Sequence, residues 1–234
     1  TARPVHAAAV EFRFRLGQLH QLRLNDIDSA LAAYRDILVA APDHANALAA
    51  LEGLFSAGIK QPEIAEIVEP LYQNTGDWEK LARVHEAQLT HLKDPADRLA
   101  MYYRLAELSE ERIGDTAIAA DVYVRSLKEA PLDEKSGEEV ERLGAVTDGG
   151  WEKVANAYAD ITGETQDDVV KATIGKRLAR VFEEELGDVE NAENTYRYVL
   201  SVAPRDVDAL AHVDRICLAL GKYPELAAIL EQRV

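Results

Sequence analysis

Three stretches of this chain repeat one spacing of side chains. An Arg-Leu pair leads to a turn that ends in Asp, and Ala, Tyr, Leu and Pro follow at fixed offsets. The Leu anchors are Leu16, Leu105 and Leu178, and the turns are Asn25-Asp26, Gly114-Asp115 and Gly187-Asp188. The second halves are Ala30/Ala119/Ala192, Tyr34/Tyr123/Tyr196, Leu38/Leu127/Leu200 and Pro42/Pro131/Pro204. Leu to Pro is 26 residues in every copy (42−16, 131−105, 204−178). A frame of this kind restricts the fold more than any other feature. It describes helical hairpins that bury their apolar faces only by stacking on one another, which is the principle of a solenoid.

The frame also sets the helices. Phe12, Leu16, Leu19 and Leu24 follow helical spacing and predict a helix over about 5–24, with Gly17 allowing a close neighbour. Asp26 is a good N-cap for a second helix, in which Ala30, Leu31, Tyr34, Ile37 and Leu38 share one side until Pro42 forbids continuation. The same reading places hairpins near 96–130 and 167–203, with Gly114 and Gly187 ending the first helix and Asp115 and Asp188 capping the second. No stretch alternates with period two, so no strand is expected.

A second, shorter frame lies between the copies: Gly76-Asp77-Trp78, Leu81-Ala82, His85; Gly149-Gly150-Trp151, Val154-Ala155, Tyr158; Gly221-Lys222-Tyr223, Leu226-Ala227, Leu230. The full period therefore holds two unlike hairpins. It is 73 residues between the later anchors (178−105) and 89 between the earlier ones (105−16). The excess of 16 (89−73) falls around Ile59 to Asn74, where Pro62 can open a helix and Pro70 should kink or end it. One extra helix and an irregular step are expected near 58–76. The chain reads as one array over 1–234, cut from a longer protein. Frames cover 5–42, 96–131 and 167–204, and linking hairpins cover 44–94, 133–164 and 206–234.

Composition agrees. The chain is 47% hydrophobic but only 6% aromatic, which favours helices packed through small residues. Its formal charge of −16 repels phosphate backbones, so neither nucleic acid nor an anionic membrane is an expected partner. Acidic faces either keep a Leu-rich array dispersed or meet a basic partner. The single Cys217 excludes an internal disulfide and reads as a small core residue. No apolar run reaches the roughly 18 residues that span a bilayer, and Arg3, Glu11, Arg13 and Arg15 replace the apolar centre of a signal peptide. A soluble, cytoplasmic chain without membrane insertion is expected.

The Leu16-Gly17-x-x-His20, Leu105-Ala106-x-x-Ser109 and Leu178-Ala179-x-x-Phe182 motifs, with the Ala, Tyr and Pro that follow them, resemble the tetratricopeptide repeat (TPR). In these frames the family's opening Trp is absent, its Gly is Ala in two copies, and the turn holds one residue more than usual. The resemblance implies an all-α, TPR-like α-α solenoid, a right-handed superhelix of antiparallel hairpins. It further implies a concave groove, lined by first helices, that holds a partner peptide or helix. Carried over by register, the groove positions are Phe14, Gln18 and Gln21, then Tyr103, Glu107 and Glu110, then Lys176, Arg180 and Glu183. Arg15, Arg104 and Arg177 recur on one flank, either to grip a ligand carboxylate or to neutralise acidic neighbours. The Asn residues with which some members hold a C-terminal carboxylate are missing.

Nothing in the chain points to catalysis or to a cofactor. There is no phosphate-cradling Gly loop. His85-Glu86 and His91 are spaced by six (91−85), which puts the two histidines on different helix faces and speaks against a zinc site. Asp26-x-Asp28 and Asp206-x-Asp208 lack the Gly and Glu of a calcium loop and read as helix caps. Glu110-Glu111 and Glu183-Glu184-Glu185 read as solvated faces countered by Arg112 or Arg180. The expectation is a non-catalytic interaction scaffold for a protein or peptide. The alternatives are a spacer that associates end to end, through Leu226, Ala227, Ile229 and Leu230, and a recruiting arm of a larger enzyme.

Overall fold

A computed structural model describes residues 2–231, with side chains described for 8–231. The last residues of the helical run expected from Leu226 to Val234 lie outside the described residues. Among those described there are thirteen α-helices and no strand. They are α1 (Ala2–Leu19), α2 (Ile27–Ala40), α3 (Ala45–Ser56), α4 (Gln61–Thr75), α5 (Trp78–His91), α6 (Pro95–Leu108), α7 (Thr116–Glu129), α8 (Glu134–Val146), α9 (Gly150–Glu164), α10 (Asp168–Arg180), α11 (Val189–Val202), α12 (Val207–Leu220) and α13 (Tyr223–Glu231).

The chain forms two compact units, Thr1–Met101 and Tyr102–Val234, and α6 crosses the division. In the first unit each of α1 to α5 packs on its neighbours in sequence. In the second the same holds from α7 to α13, with α7 also touching α9. Consecutive pairing is what a stacked hairpin array requires.

The frame explains the packing. Ala30, Ala119 and Ala192 are fully buried, and Tyr34, Tyr123 and Tyr196 are nearly so, each at the same place in its hairpin. Asp26, Asp115 and Asp188 cap α2, α7 and α11 by accepting from the N–H of Ser29, Ile118 and Asn191. The preceding helices α1, α6 and α10 each close with a five-residue π turn, His20–Leu24, Ser109–Ile113 and Val181–Glu185. The extra residue noted in each turn is absorbed there by wider i→i+5 winding.

One expectation needs correction, and one is narrowed. The stripe Phe12, Leu16, Leu19 and Leu24 is exposed; the buried side of α1 carries Val10, Phe14 and Gly17, with Gly17 so close to Tyr34 that a Cβ would lie 2.7 Å from its ring. Pro70 does not end α4, which continues to Thr75. Pro70 and Glu66 both face outward, where water can take the freed carbonyl. The extra helix in the long first period is present, since α3, α4 and α5 separate α2 from α6 where only α8 and α9 separate α7 from α10.

Candidate partner-binding surface

Each first helix offers three positions in register, and the helix that begins the next hairpin faces them. At the first position stand Phe14, Tyr103 and Lys176; at the matching place on the following helix stand His44, Asp133 and Asp206, with offsets of 89 and 73 in both sets (103−14, 133−44; 176−103, 206−133). The three pairs are chemically different and each is complementary. Phe14 and His44 are in ring contact at 5.3 Å, the Tyr103 hydroxyl donates to Asp133 at 2.5 Å, and Lys176 meets Asp206 at 2.8 Å. Burial and the neighbouring Asp133 carboxylate push the Tyr103 phenol up to about 12. Asp133 and Asp206 also cap α8 and α12, so one carboxylate starts a helix and latches the previous one.

The third position holds Gln21, Glu110 and Glu183. Arg142 of α8 grips Glu110 with two hydrogen bonds, at 2.9 and 2.6 Å, and Arg215 of α12 bonds Glu183 in the same register (183−110 and 215−142 are both 73). His212, stacked on Tyr196 at 4.7 Å, adds a 3.0 Å contact to Glu183. The Arg142 bonds hold the Glu110 carboxyl below the usual glutamate range. In the first copy Gly53 stands where Arg142 does (142−53 = 89), and the first-helix residue is neutral Gln21, which accepts from the Tyr34 hydroxyl at 2.7 Å. Glu110 and Glu183 thus each have an arginine partner on the next helix. A reading of the first helices alone misses Arg142, Arg215, Asp133 and Asp206 as partners, although their own 73-residue spacing is a readable signal.

The middle position is more open. Glu107 meets Lys135 at 3.0 Å, but Gln18 and Arg180 are exposed and carry no hydrogen bond or ion pair among the described residues. On the flank, Arg15 pairs with Glu11 at 2.8 Å, Arg104 is exposed, and Arg177 is half-buried against Glu141 at 3.1 Å. Cys217 is fully buried. His85 is buried beside Glu69 at 3.6 Å while His91 contacts Gln61, so the two histidines diverge. Among the described residues no helix is long and apolar enough to cross a membrane.

Residues 71–99 match the Tetratricopeptide repeat family model. The repeat is TPR-like. The match runs from the end of α4 through α5 to the start of α6, and Trp78-x-x-Leu81-Ala82-x-x-His85 supplies the opening Trp missing from the longer frames. The longer frames carry the resemblance on the neighbouring hairpins. No curated protein matches the chain. Among solved structures it is similar to the MamA protein (16% identity, 74% of this chain and 90% of that one, TM-score 0.38). It is also similar to PilW, a type IV pilus biogenesis factor (15%, 96% and 91%, 0.37), and to the TPR protein TTC0263 of Thermus thermophilus (17%, 89% and 99%, 0.30). At these scores the likeness carries no argument, and the TPR-like reading stands on the match over residues 71–99 and the internal frame.

Proposed function

We propose that the chain is a non-catalytic scaffold that binds a segment of another protein through its first-helix positions. The observation that carries this reading is the contrast within the frame. The buried Ala and Tyr positions repeat, while the exposed middle position changes from Gln18 to Glu107 to Arg180, and two of these three side chains have hydrogen-bonding capacity unspent in the array. A surface that varies on an invariant support suits recognition by many modest contacts. The neighbouring positions are spent on latching one hairpin to the next within each unit.

The test is a crosslinking pull-down from a source-cell lysate with the purified chain as bait. A retained protein whose capture falls with Gln18→Lys plus Arg180→Glu, and is unchanged by Arg35→Glu on an outward face, supports the reading. Retention of no protein, or capture indifferent to the strip variants, removes it.

A further inference from the structure

We propose that the cavity among α3, α4 and α5 takes one bulky apolar side chain of another protein, presented beside an acidic residue. The site lies outside the first-helix positions. It shares with the proposed function only that the occupant is a protein segment.

The cavity sits where the repeat is interrupted. Offsets of 89 pair α3 with α8 (141−52, 144−55), and offsets of 73 pair α5 with α9 (151−78, 153−80, 156−83), which leaves α4 as the inserted helix. In the regular period α8 and α9 interlock through small residues. A Cβ on Gly144 would lie 2.6 Å from Val154, and one on Gly150 would lie 2.2 Å from the Gly144 carbonyl oxygen. The space left there, beside α7, is about 20 Å³, room for a single water. In the first unit Phe55 stands in place of Gly144, α4 packs on both α3 and α5, and the space is about 140 Å³. The inserted helix thus opens a cavity at a crossing that the regular array closes.

The walls and the mouth differ in character. Ile64, Val68 and Val84 on the wall are buried, and Phe55 is half-buried. The Tyr72 hydroxyl donates to Glu52 at 2.8 Å and Lys80 donates to the same oxygen at 2.9 Å, so the acid that lines the cavity is already matched by two donors. Arg83 and Ser56 also line it; both are exposed, and neither side chain has a hydrogen bond or ion pair among the described residues. The mouth therefore keeps an unspent guanidinium and an unspent hydroxyl above an apolar floor. The α9 residue equivalent to Arg83 is Asn156, so this charge is not part of the repeat.

Volume and charge choose the occupant. A cavity of about 150 Å³ holds one benzene ring, whereas sites for drug-sized molecules start near about 300 Å³, so the space suits a single side chain between leucine and phenylalanine in size. A guanidinium recognises a carboxylate through two parallel hydrogen bonds. Arg83 therefore favours an aspartate or glutamate next to the apolar anchor and disfavours a lysine or arginine there.

The experiment is a methyl NMR titration of the 234-residue chain, read at Ile64, Val68 and Val84, with a blocked pentapeptide that carries phenylalanine between two aspartates. Saturating shifts are expected, with a dissociation constant on the order of 1 mM for one anchor and one ion pair. Alanine in place of the phenylalanine should weaken binding about tenfold or more, and lysines in place of the aspartates about fivefold or more. Arg83→Glu should reverse the preference between the acidic and basic peptides, and Ser56→Trp should abolish binding by filling the mouth. Both positions are exposed, and circular dichroism checks that helicity is kept. Gln18→Lys plus Arg180→Glu should change nothing, which separates this site from the first-helix strip. The proposal is overturned by the lack of a saturating shift up to about 10 mM peptide, or by an alanine peptide that binds equally well. It is also overturned by phenylacetate binding as tightly as the peptide, which marks a small-molecule site, and by shifts that grow with protein concentration alone, which mark a second copy. A negative titration beside a positive pull-down removes the cavity and leaves the first-helix reading intact.

Discussion

Arg177 reaches Glu141 through a gap that exists because residue 137 is glycine: a Cβ there would lie 2.5 Å from the arginine Nη1. The Tyr158 hydroxyl donates to the same Glu141 oxygen at 2.8 Å, so three helices meet on one carboxylate. This joint makes Gly137→Ala informative. In a helix interior Ala normally gains up to about 1 kcal/mol over Gly. Here the guanidinium must withdraw and lose a charge-assisted bond of about 1.5–3 kcal/mol, so a net loss near 1 kcal/mol is expected in urea unfolding. In an Arg177→Ala background the sign should reverse, and the double-mutant cycle reads the coupling. Stabilisation by Gly137→Ala in the wild type would contradict the geometry.

Two other glycines should behave in opposite ways. A Cβ on Gly150 would sit 2.2 Å from the Gly144 carbonyl oxygen, backbone that cannot step aside. Gly150→Ala should cost about 3 kcal/mol or more, because α8 and α9 must separate. Gly53 has nothing within 4 Å of its Cβ position, and Gly53→Ala should gain about 0.5–1 kcal/mol. Thermal unfolding of the pair separates close approach from helix propensity.

The buried tyrosines are ring first and hydroxyl second. Tyr196 is almost fully buried, stacks on His212 and reaches Glu183 at only 3.4 Å. Tyr196→Ala should cost about 3–5 kcal/mol as a cavity opens, and Tyr196→Phe about 1 kcal/mol or less. Denaturant titration of both variants checks the ratio.

Glu193 gives the second unit an acid-sensitive point. Burial pushes its carboxyl up, but hydrogen bonds from Lys222 at 2.6 Å and Arg197 at 2.9 Å outweigh burial and hold it below the usual glutamate range. A carboxyl depressed on folding stabilises above its unfolded value, and the contribution is lost as pH falls through the folded value. Stability should therefore fall as pH drops below the ordinary glutamate value of 4.5, and Glu193→Gln should flatten that slope while costing about 1–2 kcal/mol at pH 7. An unchanged slope would remove Glu193 from the account.

The interior of each hairpin was legible because its requirements are local. Ala at the crossing, Tyr one turn on and Asp at the cap are fixed by close approach and orphan N–H groups, and all three copies show them. The buried side of α1 was not legible in the same way. Val10, Phe14 and Gly17 form as good a helical stripe as Phe12, Leu16 and Leu19, and only a covering helix decides between them. The latches lay beyond a first-helix reading, since Glu110 finds Arg142 across 32 residues (142−110).

The exchange of Phe14–His44 for Tyr103–Asp133 and Lys176–Asp206 carries a last implication. Each hairpin ends in a fitting cut for one successor: an aromatic seat accepts an imidazole, a phenol or an ammonium accepts a carboxylate. The order of the modules is thereby written into their joints. A copy transplanted without its matching half would meet an ill-suited neighbour, even though the two backbones are built to one plan.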